Sequence, residues 1–420
     1  MRRMLSVALI LTVLAGCQTA SSRQVEAAQE VPETAPKEAS RTLGSSTEAR
    51  DFADWVATFR REARDQGIGE SVLASAFDEV RFQPRVIELD GAQPEFVRPI
   101  WSYLDTAVSA TRIEQGRKQL ATHEDAASAA TQRYGVPKEI LVAIWGIESN
   151  YGANFGGFST IDALATLAFE GRRSEFARQE LMAALRILQA GDIDASHMRG
   201  SWAGAMGHTQ FMPSSFEAYA VDGDADGHRD IWGSISDVMA STAHYLDRAG
   251  WRAGEPWGVE VTLPQGFDYT QASAAIRRSS EQWASEGVAA VNGRALPNFD
   301  EAAILVPAGA SGPAFLVGPN FRAILRYNNA TSYALAVGTL ANRIAGRPGI
   351  DQQWPRDQKP LSRSQVRELQ QLLNRQGYAT GTPDGILGPN TRRGLRDYQR
   401  SVGLVPDGFA TQALLDRLRG

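Results

Sequence analysis

The sequence predicts a mainly α fold: a large helical unit that carries a small β insert, followed by a small helical C-terminal module. Three observations predict it. Apolar residues recur at helical spacing over residues 49–65, 101–121, 137–148, 160–170, 174–190 and 236–249. Between about 258 and 320 the pattern changes to short runs bounded by Gly and Pro, namely 259–263, 303–306 and 315–317. Near the end, two Pro-Asp-Gly turns at 383–385 and 406–408 each follow a helical segment, an internal echo in which Thr391 and Thr411 are placed to cap the next helix.

With 420 residues and 43% hydrophobic content, the chain can build a sizeable core and more than one folded unit. Its formal net charge of -5 is well mixed along the chain, unlike the basic footprint of a nucleic-acid binder. Cys17 is the single cysteine, which excludes a disulfide scaffold and a cysteine-ligated metal cluster. Arg2 and Arg3 precede the apolar run Leu5 to Leu14, a signal-peptide pattern too short to span a bilayer stably. The ending Leu14-Ala15-Gly16-Cys17 resembles a bacterial lipobox. That resemblance implies cleavage after residue 16, a lipid on Cys17 and a membrane anchor in the periplasm. Gln18 after the cysteine favours the outer membrane.

The organisation follows from composition. Residues 1–17 are the lipoprotein signal with its lipobox cysteine. Residues 18–48, rich in Ala, Ser, Glu, Thr and Pro, are a disordered tether. Residues 49–346 are the large, mostly helical unit, which carries the main core. Residues 347–362 carry three prolines and no sustained period, which suits an interdomain linker. Residues 363–420 form the second module.

Within the large unit, Pro137 opens a helix in which Ile140, Leu141 and Ile144 form an apolar stripe, and Glu148 continues that stripe. A carboxyl there leaves the helix on the buried side, close to Trp145. Ser149-Asn150-Tyr151-Gly152 ends the helix, so the negative end of the helix dipole adds to desolvation. Both effects favour a protonated carboxyl, which can donate a proton near neutral pH.

The stretch Trp145 to Gly152, together with Gly200-Ser201-Trp202-Ala203-Gly204-Ala205-Met206-Gly207-His208-Thr209-Gln210-Phe211-Met212-Pro213-Ser214-Ser215-Phe216, resembles the membrane-bound lytic murein transglycosylases of the B type. Phe96 to Trp101, Asp162 to Phe169 and Arg326 to Tyr333 match in the same order, so the resemblance covers nearly all of 50–346. It implies a lysozyme-like α+β fold and cleavage of the MurNAc–GlcNAc bond of peptidoglycan without water as acceptor, ending in a 1,6-anhydro ring. Glu148 then acts first as acid and next as base. The same resemblance places Ser201 and Gln210 beside the acid, and Tyr245, Tyr327, Asn328 and Tyr333 along the sugar-binding walls. Arg172 and Arg173 match an arginine pair that could meet a peptide stem or lactyl carboxylate. Phe176 stands where the family can carry a tyrosine.

The segment from Asp222 to Asp230 resembles an EF-hand loop, with oxygen donors at Asp222, Asp224, Asp226 and Asp230, the backbone carbonyl of His228, and Gly227 at the sixth position. Gly233 replaces the usual closing glutamate, leaving Asp237 to close a structural Ca²⁺ site. No organic cofactor is implied. The C-terminal module, with Val366 to Leu373 and both Pro-Asp-Gly turns, resembles a small peptidoglycan-binding domain, so the implied partners are glycan strands and a membrane. Nothing in the pattern names a wall-synthesis or division protein. Zinc peptidase, serine hydrolase and P-loop motifs are absent. Two other readings use the same residues: a hydrolytic muramidase, and a catalytically inactive wall-binding lipoprotein.

Overall fold

A computed structural model describes residues 46–92, 98–291 and 293–420. The signal peptide, Cys17, most of the tether, and Phe96 and Val97 lie outside the described residues. Among the described residues there are seventeen α-helices and six short strands. Three separate apolar cores divide them: a large helical core, a β-insert core and a C-terminal core.

Helix Lys138–Ser149 runs through the middle of the large core. The expected apolar stripe is in fact a helix buried on every face, since Ile140 through Gly146 are all buried. Helices Ala110–Thr122, Glu124–Tyr134, Ile235–Arg248 and Thr331–Ile344 surround it. Such enclosure needs small residues at the closest approaches, and a Cβ on Gly146 would lie 2.5 Å from the Tyr151 ring.

The single helix expected over 101–121 is two helices, Ile100–Ala107 and Ala110–Thr122. Ser109 causes the break, because its hydroxyl accepts the Arg112 N–H at 3.3 Å and starts the second helix as an N-cap. The first described helix, Ser46–Asp65, begins inside the stretch assigned to the tether.

The β insert is a four-stranded antiparallel sheet in the order Ala289–Ala290, Gly258–Thr262, Ala314–Val317, Ala303–Leu305. Trp283 and Phe299 fill its core, and the Trp283 indole N–H donates to the Ala302 carbonyl at 2.9 Å.

Residues 347–362 join the units without being a free spacer. The backbone N–H groups of Asp351 and Gln352 donate to the Glu260 carboxylate at 2.7 and 2.8 Å. Trp354 packs against Trp101 and Phe315, and Arg356 makes a two-pronged pair with Asp105 at 2.7 and 2.8 Å. Side chains from both halves of the large unit therefore strap the connection down, which its proline content did not indicate.

The internal echo of the C-terminal module is real in three dimensions. Gln370 accepts the Gly385 N–H and donates to Asp384, and Gln399 accepts the Gly408 N–H and donates to Asp407. Thr411 caps its helix as expected, accepting the Leu414 N–H. Thr391 does not: Gly388 and Pro389 start that helix, while the Thr391 hydroxyl accepts from the Gln370 amide. The second turn also touches the β insert, where Asp407 accepts the Ala310 N–H at 2.9 Å.

Candidate active site

Glu148 is the next-to-last residue of helix Lys138–Ser149. Asn150, Tyr151 and Gly152 follow with φ of 50°, 59° and 82°, three successive left-handed residues that turn the chain sharply away. Left-handed Tyr151 is held by its hydroxyl, which donates to the Arg112 carbonyl at 2.7 Å. A Cβ on Gly152 would fall 2.1 Å from His208, so this position needs glycine both for φ and for space.

His208 fastens this turn to the segment from Gly200 to Phe216. Its Nδ1 accepts the Trp145 indole N–H at 2.7 Å, so its Nε2 carries the proton and donates to the Trp232 carbonyl at 3.0 Å. Burial holds its pKa below the usual histidine value, which keeps the ring neutral. The Ser149 hydroxyl donates to the His208 carbonyl at 3.0 Å. On the other side, buried Glu180 accepts the Ser214 N–H and hydroxyl at 2.9 and 2.7 Å.

These supports leave a cavity of about 340 Å³ with Glu148 in its wall. The Glu148 carboxyl accepts the Tyr333 hydroxyl at 2.5 Å. Burial pushes its pKa up to about 7, and the Tyr333 hydrogen bond opposes that rise in part. Trp145 does not line the cavity; its indole N–H donates to His208, and the cavity around the carboxyl is walled by Tyr103, Ile147, Tyr327 and Tyr333. Among the described residues lining the cavity, Glu148 is the only carboxylate.

The structure brings Ser201, Gln210, Tyr245, Tyr327, Asn328 and Tyr333 into the same cavity. The Ser201 oxygen accepts the Ala203 and Ala205 N–H groups, leaving its own proton for a ligand. Gln210, itself left-handed at φ 52°, donates its amide to the carbonyls of Phe155 and Gly207, which leaves its carbonyl oxygen without a partner among the described residues. The Tyr245 and Tyr327 hydroxyls donate to the carbonyls of Arg326 and Thr209, at 2.5 and 2.7 Å, so these rings present faces and edges rather than free hydroxyls. Tyr327 and Tyr333 lie nearly parallel, 11° apart with centroids at 6.5 Å.

The arginine pair goes elsewhere. Arg172 donates from its backbone and from Nε to buried Asp90, at 3.1 and 3.3 Å, and Arg173 lies over the Phe176 ring at 5.9 Å. Neither lines the Glu148 cavity. A buried carboxylate needs a partner, and Asp90 takes Arg172 for that purpose. Instead, Arg98 and Arg112 line the cavity, as does Tyr103. Arg98 stood in one of the matching stretches, whereas nothing in the local pattern marked Tyr103 or Arg112.

Of the expected metal ligands, Asp222, Asp224 and Asp237 offer carboxylate oxygens within 4.8 Å of one another. Asp237 accepts the N–H groups of Gly223 and Asp230 at 2.7 and 2.6 Å, and burial followed by its repulsion from Asp224 and Asp222 raises its pKa. Three clustered oxygens of like charge fit a hard divalent cation. The Asp226 carboxylate is not part of this cluster and accepts the His228 N–H at 2.8 Å, while the His228 ring, which was not the expected ligand, meets the Gly191 carbonyl through Nδ1 at 3.0 Å.

Residues 51–342 match the transglycosylase SLT domain family, residues 362–418 a peptidoglycan-binding domain family, and residues 1–18 the prokaryotic membrane lipoprotein lipid attachment site. The chain is therefore a membrane-anchored protein of the cell envelope. It is 36% identical over 250 residues to membrane-bound lytic murein transglycosylase B of Escherichia coli (strain K12), covering 58% of this chain and 66% of that relative's length. The fold superimposes on SltB3 of Pseudomonas aeruginosa, solved with NAG-anhNAM-pentapeptide, with a TM-score of 0.86 at 51% identity, covering 88% of this chain and 99% of that one. It also resembles the Escherichia coli lytic transglycosylase Slt35, solved with calcium, with a TM-score of 0.60 at 31% identity, covering 72% and 95% of the two chains. The chain belongs to the lytic murein transglycosylases of the SLT-domain family and carries a C-terminal peptidoglycan-binding domain.

Proposed function

We propose that this lytic transglycosylase cuts the β-1,4 bond from MurNAc to GlcNAc with Glu148 as its single acid and base, forming a 1,6-anhydro-MurNAc end. The observation that carries the reading is that Glu148 stands alone as a carboxylate in the described cavity wall. Glycosidases that use water or an enzyme nucleophile ordinarily need a second carboxylate. With one, the muramoyl 6-hydroxyl of the substrate can take the place of the missing nucleophile.

A pKa of about 7 suits both halves of the cycle, because the protonated and ionised forms are comparably populated near neutral pH. Protonated Glu148 gives its proton to the glycosidic oxygen as the bond from C1 to that oxygen breaks. The resulting carboxylate, held by the Tyr333 hydroxyl, then takes the proton of the muramoyl 6-hydroxyl as O6 bonds to C1. The proton count closes, and Glu148 ends as it began. Ser201 and the carbonyl of Gln210 are the free donor and acceptor for an N-acetyl group, and Tyr245, Tyr327 and Asn328 shape the sugar wall.

Asp222, Asp224 and Asp237 would hold a Ca²⁺ ion, which would tie the loop to helix Ile235–Arg248 and has no part in the bond cleavage. The unit at 49–346 performs the cleavage, and the module at 363–420 keeps it close to the wall, raising the local substrate concentration. Lipid on Cys17, followed by Gln18, supports placement at the outer membrane facing the periplasm. Mass spectrometry of sacculi digested with the protein tests the reaction: anhydro-muramic ends are expected, and reducing muramic ends would overturn it.

A further inference from the structure

A second cavity, about 470 Å³, lies between the end of helix Ile235–Arg248, helix Pro319–Tyr327 and the β insert. Four arginines line it, Arg252, Arg277, Arg322 and Arg326, together with Asn329, and no carboxylate does. In a chain whose formal net charge is -5, this concentration of positive charge is not a reflection of composition. The acidic neighbours neutralise it only in part. Glu301 is shared, at 3.0 Å from Arg322 and 3.8 Å from Arg277. Arg252 meets Glu255 at 3.5 Å and Asp300 at 3.8 Å. Arg326 is exposed and has no ion pair among the described residues. Burial, and then repulsion from Arg277, holds the Arg322 pKa below the ordinary arginine value, so the guanidinium groups are gathered at a cost that an anion would relieve.

This cavity shares two walls with the catalytic one. On helix Ile235–Arg248, Tyr245 faces the catalytic cavity, while Ala249, one turn later, lines the arginine cavity. At the end of helix Pro319–Tyr327, Tyr327 and Asn328 line the first, and Arg326 and Asn329 line the second. Guanidinium groups bind carboxylates through paired, charge-assisted hydrogen bonds. An extended peptide covers about 3.3–3.6 Å per residue, so one of a few residues spans roughly 10–18 Å. The peptide stems of the wall polymer combine that reach with free carboxylates.

We propose that the cavity of Arg252, Arg277, Arg322 and Arg326 binds the carboxylates of a peptide stem hanging from a muramoyl residue seated at or beside the catalytic cavity. The choice of ligand rests on the wall-cleavage reading; the anion site itself does not.

The test uses the full chain with Arg277→Ala and Arg326→Ala together, keeping Arg322 and its bond to Glu301. On stem-bearing glycan strands the double variant should raise KM roughly tenfold, with little change in kcat, as expected for lost charge-assisted contacts. On strands stripped of stems by an amidase, the ratio of variant to parent KM should be near one. Equal ratios on both substrates would overturn the proposal. Calorimetry with a free wall pentapeptide and full-length Glu148→Gln protein gives a readout independent of cleavage. Affinity should fall roughly tenfold when both arginine changes are added. Absence of pentapeptide binding by Glu148→Gln, or binding that the arginine changes leave intact, overturns the proposal. So does a loss confined to phosphatidylglycerol vesicles, which would make the cavity a membrane contact.

Discussion

Replacing Glu148 with Gln keeps the side-chain length and an acceptor for the Tyr333 hydroxyl but removes the titratable proton. Catalysis should fall by roughly 10²–10⁴-fold, the usual contribution of a positioned general acid. Stability should move in the opposite direction, with a particular pH dependence. The Glu148 pKa rises from 4.5 to about 7 on folding, so the folded state favours the protonated form. The stabilisation this provides is complete below pH 4.5 and is lost as pH rises through about 7. At about 1.36 kcal/mol per unit, ionisation above that range costs the wild type about 3 kcal/mol at most. Glutamine does not carry this cost. Urea unfolding of both proteins at pH 5 and pH 8.5 measures it: the stability of the variant relative to the wild type should grow with pH by up to about 3 kcal/mol. A difference that stays flat across that range would refute the argument that burial holds the carboxyl protonated.

Other changes bear on the same site and on the loop beside it. Tyr333→Phe removes the hydrogen bond that favours ionised Glu148, so the alkaline limb of the kcat profile should move up by about one pH unit; an unchanged or lowered limb contradicts that role. His208→Ala frees the Trp145 indole and the Trp232 carbonyl, and should lower stability by about 2 kcal/mol and reduce kcat more than it raises KM; denaturation and steady-state kinetics on sacculi check both. In the wild type, the depressed His208 pKa means that its contribution is present above pH 6.5 and fades as pH falls below it, visible as an acid-side loss of stability missing from His208→Ala. Added Ca²⁺ should raise Tm in the wild type, by the equivalent of about 2.7 kcal/mol at a hundredfold excess over Kd, and should do so much less in Asp224→Asn; equal shifts in the two proteins would place the ion elsewhere.

Much of the site could be read from sequence because its residues cluster in a few runs. Glu148 sits one residue before a helix end marked by Ser149-Asn150-Tyr151-Gly152, and Ser201 and Gln210 lie within one long matching segment. The strands at 258–262, 303–305 and 314–317 and the helices around 160–190 follow from periodicity, which local composition sets. Spacing put Glu148 on the buried side of its helix, where the structure finds it, but could not show what it meets there. Its helix is enclosed on every face over Ile140 to Gly146, so the stripe did not say which neighbouring helices would wall the carboxyl. Tyr333 reaches the carboxyl and Tyr103 lines the same cavity from helices distant in sequence, and His208 locks the turn through Trp145, so the raised pKa is a property of packing. The same reason redirected Arg172 to Asp90, since a buried carboxylate claims the nearest guanidinium, a need invisible without the burial. It also strapped down residues 347–362, whose prolines predicted a spacer, by way of Glu260 and Asp105. By itself the sequence determined most of the elements, the order of the units and the place of Glu148 as the proposed acid, because these rest on local pattern and on runs of residues. Only the tertiary structure decided that Glu148 is the lone carboxylate among the described residues lining its cavity and that four arginines meet in a second cavity beside it, because both depend on which distant side chains are brought together.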